Sequence, residues 1–173
     1  MSFTPDLGLT HKVVVGISDM AVANSSNVTL STFALGSCVG VLGFDLHCRV
    51  AGLIHAMLPE AGNRRTGDKY SPYMFVDTGL PLLVKELTGF RALRNRMVFA
   101  IIGGASVNST NTKSFFRIGE DNVSATRHFF RREGLKVIYE DTGGTVNRTV
   151  HFQIGEGLLT LKKPNGTTQI DLN

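Results

Sequence analysis

Residues 28–57, VTLSTFALGSCVGVLGFDLHCRVAGLIHAM, decide the fold. They contain three short apolar runs, Val28 to Leu35, Cys38 to Phe44 and Val50 to Met57, separated by Gly, Ser and Asp punctuation. Runs of this length and β-branched content read as strands. With Lys12 to Ile17 ahead of them, they predict a packed antiparallel start to a β-rich domain.

Working outward, Phe75, Val76, Leu80, Leu83, Val84 and Leu87 recur at three- and four-residue steps, the spacing of one helical face. Gly79 and Pro81 argue against regular helix in its first turns. Met97 to Ile102 reads as a buried strand entering a tight loop at Gly103-Gly104. A second helix is expected from Glu120 to Glu133: its acidic start and its basic end at Arg131 and Arg132 suit the helix dipole, and Gly134 supplies a left-handed cap. Leu135 to Tyr139 follows as a strand. Arg148 to Ile154 and Leu158 to Lys162 then flank Gly155-Glu156-Gly157 as a hairpin. The expected fold class is α+β, a single-domain layered α/β sandwich, β-rich with two main helices.

The 173 residues suffice for one core, and 42% hydrophobic against 18% charged residues favours a packed globule. Residues 1–11 read as a flexible tail ahead of a domain spanning 12–173, with no signal-peptide pattern. No apolar run is long enough to span a bilayer, so membrane insertion is not expected. The net charge of +4 is dispersed, which argues against a nucleic-acid partner and is compatible with an acidic protein surface. In a reducing cytoplasm, the expected location, Cys38 and Cys48 are free thiols. The glycosylation-type Asn27, Asn108, Asn122, Asn147 and Asn165 then carry no sugar.

Two residues invite a chemical reading. Cys38 follows Gly36-Ser37 at a sharp break between two apolar runs, a geometry that suits a nucleophile and equally a small buried hydrophobe. His55 interrupts an apolar strand, where its imidazole needs hydrogen-bond partners and serves either as a base for Cys38 or as a satisfied core histidine. Thr32 can accept a proton from the far imidazole nitrogen and fix its tautomer, although threonine is also simply a good strand former. Asp45 reads as a solvated turn residue.

A metal site built from Cys38, His47, Cys48 and His55 is the competing chemistry. Adjacent strand residues His47 and Cys48 would point to opposite faces, and no knuckle spacing is present, so no metal is expected. His11, His128 and His151 read as surface or packing residues, and the glycine pairs lack any phosphate-loop context.

Five blocks together carry a resemblance: TFALGSC at 32–38, HAMLP at 55–59, GGA at 103–105, IGEDN at 118–122 and DTGGTVNR at 141–148. In this order they resemble the CheD family, chemoreceptor glutamine deamidases of chemotaxis. The resemblance implies a sandwich related to toxin deamidases, with catalytic roles falling on Cys38, His55 and Thr32. It implies no cofactor, a substrate on the cytoplasmic helical domain of chemoreceptors and a CheC-type phosphatase as second partner. The oxyanion donors are expected at the backbone N–H groups of Ser37 and Cys38. A non-catalytic adaptor that docks on receptors or on the phosphatase is the alternative. Against the family pattern stand a longer N-terminal tail, an insertion-like stretch at 63–69, and Cys48, for which no role is assigned.

Overall fold

Leu35 ends one strand and Val39 begins the next, yet the two strands lie in different sheets. The computed structural model describes residues 10–64, 69–106 and 117–173, so most of the expected tail and much of the insertion-like stretch fall outside it. One sheet has the order β1-β3-β8-β9-β10, built from His11–Val14, Val28–Leu35, Arg148–Gln153, Leu158–Lys163 and Gly166–Asp171. The other has the order β2-β5-β4-β6-β7, built from Asp19–Ala23, Val50–Ala56, Val39–Asp45, Val98–Gly103 and Lys136–Thr142. Pairing is antiparallel except for β1 with β3 and β6 with β7. The expected antiparallel start is therefore corrected: β4 pairs with β5, but β3 crosses over to pair with β8 and β1.

Strand alternation explains the layers. On β3, β4 and β5, Leu30, Leu42, Phe44, Ala51 and Leu53 face the partner sheet and meet Val150, Phe152 and Leu161 there. Phe44 and Phe152 close this inter-sheet core edge to face, with ring centroids 5.0 Å apart. Val39, Val41, Ile54 and Ala56 face the other way, onto the helices. Each fully buried Leu or Phe contributes roughly 1.5–3 kcal/mol, so the two cores together hold three layers in place.

α1 (Val76–Gly89) buries Val76, Leu80, Leu83, Val84 and Leu87, with Phe75 as its N-cap. It runs unbroken through Pro81, whose ring lies on the exposed face. Gly79 is a packing feature here: a Cβ at that position would fall 2.5 Å from Ile54 Cδ1, so its absence lets the helix settle onto β5. α2 (Ile118–Glu133) ends at Gly134 in the left-handed conformation, φ 62°, as the sequence predicts. Among the described residues no helix is long and apolar enough to cross a membrane.

Asp45 departs from its expected role. It is fully buried at the end of β4, where its carboxylate accepts from Arg96 at 2.9 Å, Leu93 N at 2.9 Å and His47 N at 3.0 Å. Burial pushes its carboxyl up, and these bonds more than offset that, holding it below the ordinary value.

Candidate active site

Thr32 and His55 come from strands of different sheets, and Cys38 from the turn that joins β3 to β4. His55 on β5 has the same parity as Leu53 and Ala51, so its ring enters the space between the sheets, where it is 1% exposed. Thr32 on β3 has the parity of Leu30 and reaches the same space from the opposite sheet. They meet at 2.8 Å, Thr32 Oγ1 to His55 Nδ1.

The direction of that bond follows from the next one. Thr32 Oγ1 donates to the carbonyl of Val15 at 2.8 Å. A hydroxyl has one proton, so toward His55 the oxygen accepts, and Nδ1 carries the ring hydrogen. His55 is thereby fixed as the Nδ1–H tautomer with a basic Nε2. Nε2 is buried and has no hydrogen-bond partner among the described residues. Burial pushes the imidazole pKa down to about 4.

Cys38 enters through register. β4 pairs with β5 as Gly40 opposite His55 and Val39 opposite Ala56. Cys38, two residues before Gly40, packs against the inter-sheet core on the His55 face, as the diagonal neighbour of the imidazole. Diagonal residues are about 7–8 Å apart across a ladder, within reach of a thiol and an imidazole extended toward each other. The thiol is half-buried and unpaired, and burial raises its pKa, partly offset by its own backbone N–H.

The turn that presents Cys38 is held from outside. The Gly36 carbonyl accepts from Ala105 N at 2.7 Å and the Cys38 carbonyl from Gly104 N at 2.8 Å. The Ser37 carbonyl accepts from Asn122 Nδ2 at 2.9 Å. Neither Ser37 nor Cys38 N–H donates to another backbone carbonyl among the described residues. Behind this turn, Gly143 N donates to Gly103 O at 2.9 Å and Ser106 N to Gly144 O at 2.8 Å. Arg148 fixes that second loop through Gly143 O at 2.6 Å, Val146 O at 3.0 Å and an ion pair with Asp141 at 2.8 Å. Four of the five sequence blocks thus converge on the fifth, which carries the thiol.

Beyond the sequence reading lie Asn122, the Val15 carbonyl and the Gly104–Ala105 amides. Only Asn122 left a side-chain signal, its place in IGEDN. The four residues of the competing metal reading are not brought together: His47 and Cys48 occupy the β4–β5 turn, and β4 separates them from Cys38. Among the described residues no group of three or more His, Cys, Asp or Glu side chains is placed to hold an ion.

A family model described as CheD chemotactic sensory transduction matches residues 57–163. A protein of Pyrococcus abyssi named as a probable chemoreceptor glutamine deamidase CheD is 36% identical over 163 residues, 94% of this chain and 98% of its own.

The chain belongs to the CheD family.

A Syntrophus aciditrophicus CheD protein of the corresponding name is 40% identical over 155 residues, covering 89% of this chain and 95% of its own. Among solved structures, a Neisseria meningitidis protein of the DUF152 family shares the fold at TM-score 0.50 and 13% identity, over 81% of this chain and 66% of its own. The layered sandwich is therefore both the observed and the CheD-like architecture.

Proposed function

We propose that this chain is a cytoplasmic chemoreceptor glutamine deamidase that hydrolyses glutaminyl side chains to glutamyl through a thioester on Cys38. The observation that carries the reading is the oriented His55: its Nδ1 proton is committed to Thr32 while its basic Nε2 is unpartnered, on the face that Cys38 shares. The names of the 36–40% identical relatives supply the substrate.

Burial raises the thiol and lowers the imidazole, which favours a neutral resting pair. Proton transfer then accompanies attack: sulfur bonds to the carboxamide carbon as Nε2 takes the thiol proton. The developing oxyanion faces the N–H groups of Ser37 and Cys38, which the turn leaves without carbonyl partners. The imidazolium returns its proton to the departing nitrogen and ammonia leaves. Neutral His55 then draws a proton from water, hydroxide adds to the thioester, and glutamate and free thiol are released. No cofactor enters these steps.

The substrate is a glutamine on the helical cytoplasmic domain of a receptor, and a CheC-type phosphatase is the second partner. The test is to incubate a receptor cytoplasmic fragment with the protein and follow ammonia release, with mass spectrometry of the target peptides. Amide-to-acid conversion is expected. A fragment that binds without losing ammonia would replace this reading with that of an adaptor.

A further inference from the structure

Asn122 gives both protons of one nitrogen to the two strand ends that flank the site. Its Nδ2 donates to Ser37 O at 2.9 Å and to Met57 O at 3.0 Å, and the residue is fully buried. Turned over, the amide would set its oxygen against two carbonyl oxygens, so the chemistry of the contacts fixes its orientation. Its own Oδ1 is buried with no partner among the described residues. A buried acceptor left in this state calls for an explanation beyond helix stability.

The ladder between β4 and β5 stops at Val39 opposite Ala56. Cys38 lies one step past that end, and Met57 one step past the end of the strand carrying His55. Asn122 bonds the residue before Cys38 and the residue two after His55, and so closes the gap that the ladder leaves open. Its platform is firm. Gly119, one turn earlier on α2, lies so close to Gly104 O and Ala105 O that a Cβ there would fall 2.6 and 2.7 Å from them.

We infer that Asn122 is a positioning residue that sets the alignment of Cys38 with His55 by holding both strand ends on one carboxamide. The inference rests on the reading of Cys38 and His55 as nucleophile and base. A displacement of about 1 Å at a reacting atom is enough to cost two orders of magnitude in rate.

The experiment compares Asn122→Ala, His55→Asn and the double variant, all in a Cys48→Ala background so that Cys38 is the thiol observed. Two readouts are taken: ammonia release from the receptor fragment, and alkylation of Cys38 by iodoacetamide against pH without substrate. Asn122→Ala should lower kcat by about 30- to 100-fold with KM within about twofold. Its alkylation should slow at neutral pH, with the profile moving to that of His55→Asn. The double variant should be within about twofold of His55→Asn, because nothing remains to align. Thr126→Val removes a hydroxyl that, among the described residues, bonds only the Asn122 backbone carbonyl, at 2.8 Å, and should keep full kcat.

Wild-type kcat in folded Asn122→Ala, or losses that multiply in the double variant, would overturn the inference. If Asn122→Ala does not fold, Asn122→Gln takes its place, keeping the donor but moving it by one methylene. Full kcat there would overturn it equally. An inactive parent protein whose Cys38 alkylation still depends on both His55 and Asn122 would defeat the proposed substrate and support the alignment. Alkylation indifferent to Asn122 would defeat the alignment itself.

Discussion

Gly103 lies directly against the carbonyl oxygen of Cys38, with no room for a side chain between them. Its φ of 111° is also one that L side chains rarely adopt. The Cys38 peptide therefore rests on a backbone surface made by a glycine of another strand. Gly103→Ala should push the Cys38 peptide away from β6 and cost about 1–3 kcal/mol of stability. At a temperature where the variant is fully folded, deamidation should still fall by about tenfold or more. Thermal melts and saturating-substrate assays check both, and unchanged turnover would show that the turn tolerates the shift.

Cys38→Ala should abolish ammonia release and leave the fold intact, since one half-buried side chain is shortened. Cys48→Ala should remain active, because Cys48 sits in the turn beyond the far end of β4. Circular dichroism and ammonia assays distinguish these outcomes. An inactive Cys48 variant beside an active Cys38 variant would move the chemistry to the other thiol.

His55→Asn should lower kcat by about two or more orders of magnitude, because the amide cannot carry a proton at neutral pH. The same variant tests the burial of the ring. Folded His55 has its pKa pushed down to about 4 from the ordinary 6.5. Between those values the unfolded chain binds a proton that the folded one refuses, so stability is present above the upper value and lost as pH falls. Acidification from pH 7.5 to 4.5 should therefore cost wild type about 2–3 kcal/mol more than the variant in urea melts. Asp45 and Asp141 titrate in both proteins and cancel in the comparison. Equal losses would mean that His55 ionises freely in the folded state.

Thr32→Val keeps the shape and removes the acceptor for the ring hydrogen. It leaves the Nδ1–H and the Val15 carbonyl without each other's relay, a cost of about 1–3 kcal/mol. Turnover should fall by about tenfold, less than for His55→Asn, since an orienting contact is lost and the proton carrier remains. Nitrogen chemical shifts of His55 should report the Nδ1–H tautomer in wild type and a mixture in the variant. A pure Nδ1–H signal in Thr32→Val would assign the orientation to some other group.

The strands legible in the sequence are those rich in apolar and β-branched residues: β3 matches Val28 to Leu35 residue for residue. β2 and β10 were not read. DMAVA is only five residues at a sheet edge, and GTTQID is polar and almost wholly exposed, so neither stands out as a buried strand. Sheet membership was equally hidden, because alternation tells which face a residue takes and not which strand lies beside it. Asp45 was misread for the same reason. Its carboxylate is paired by Arg96, 51 positions away, and nothing local announces that partner. The proposed site residues Thr32, Cys38 and His55 are legible as a set through their motifs. The Val15 carbonyl and the Gly104 and Ala105 amides that orient them are backbone groups, which have no letter in a sequence.

Thr32 belongs to one sheet and His55 to the other, with Cys38 in the turn between β3 and β4. The hydrogen bond that orients the ring therefore crosses a seam, and under the proposed roles turnover gauges how well the two halves of the sandwich are seated. A slippage of the layers too small to alter the content of strand and helix would still uncouple Thr32 from the ring. Under the proposed roles, such a slipped form would keep its strand and helix signal in circular dichroism and lose turnover.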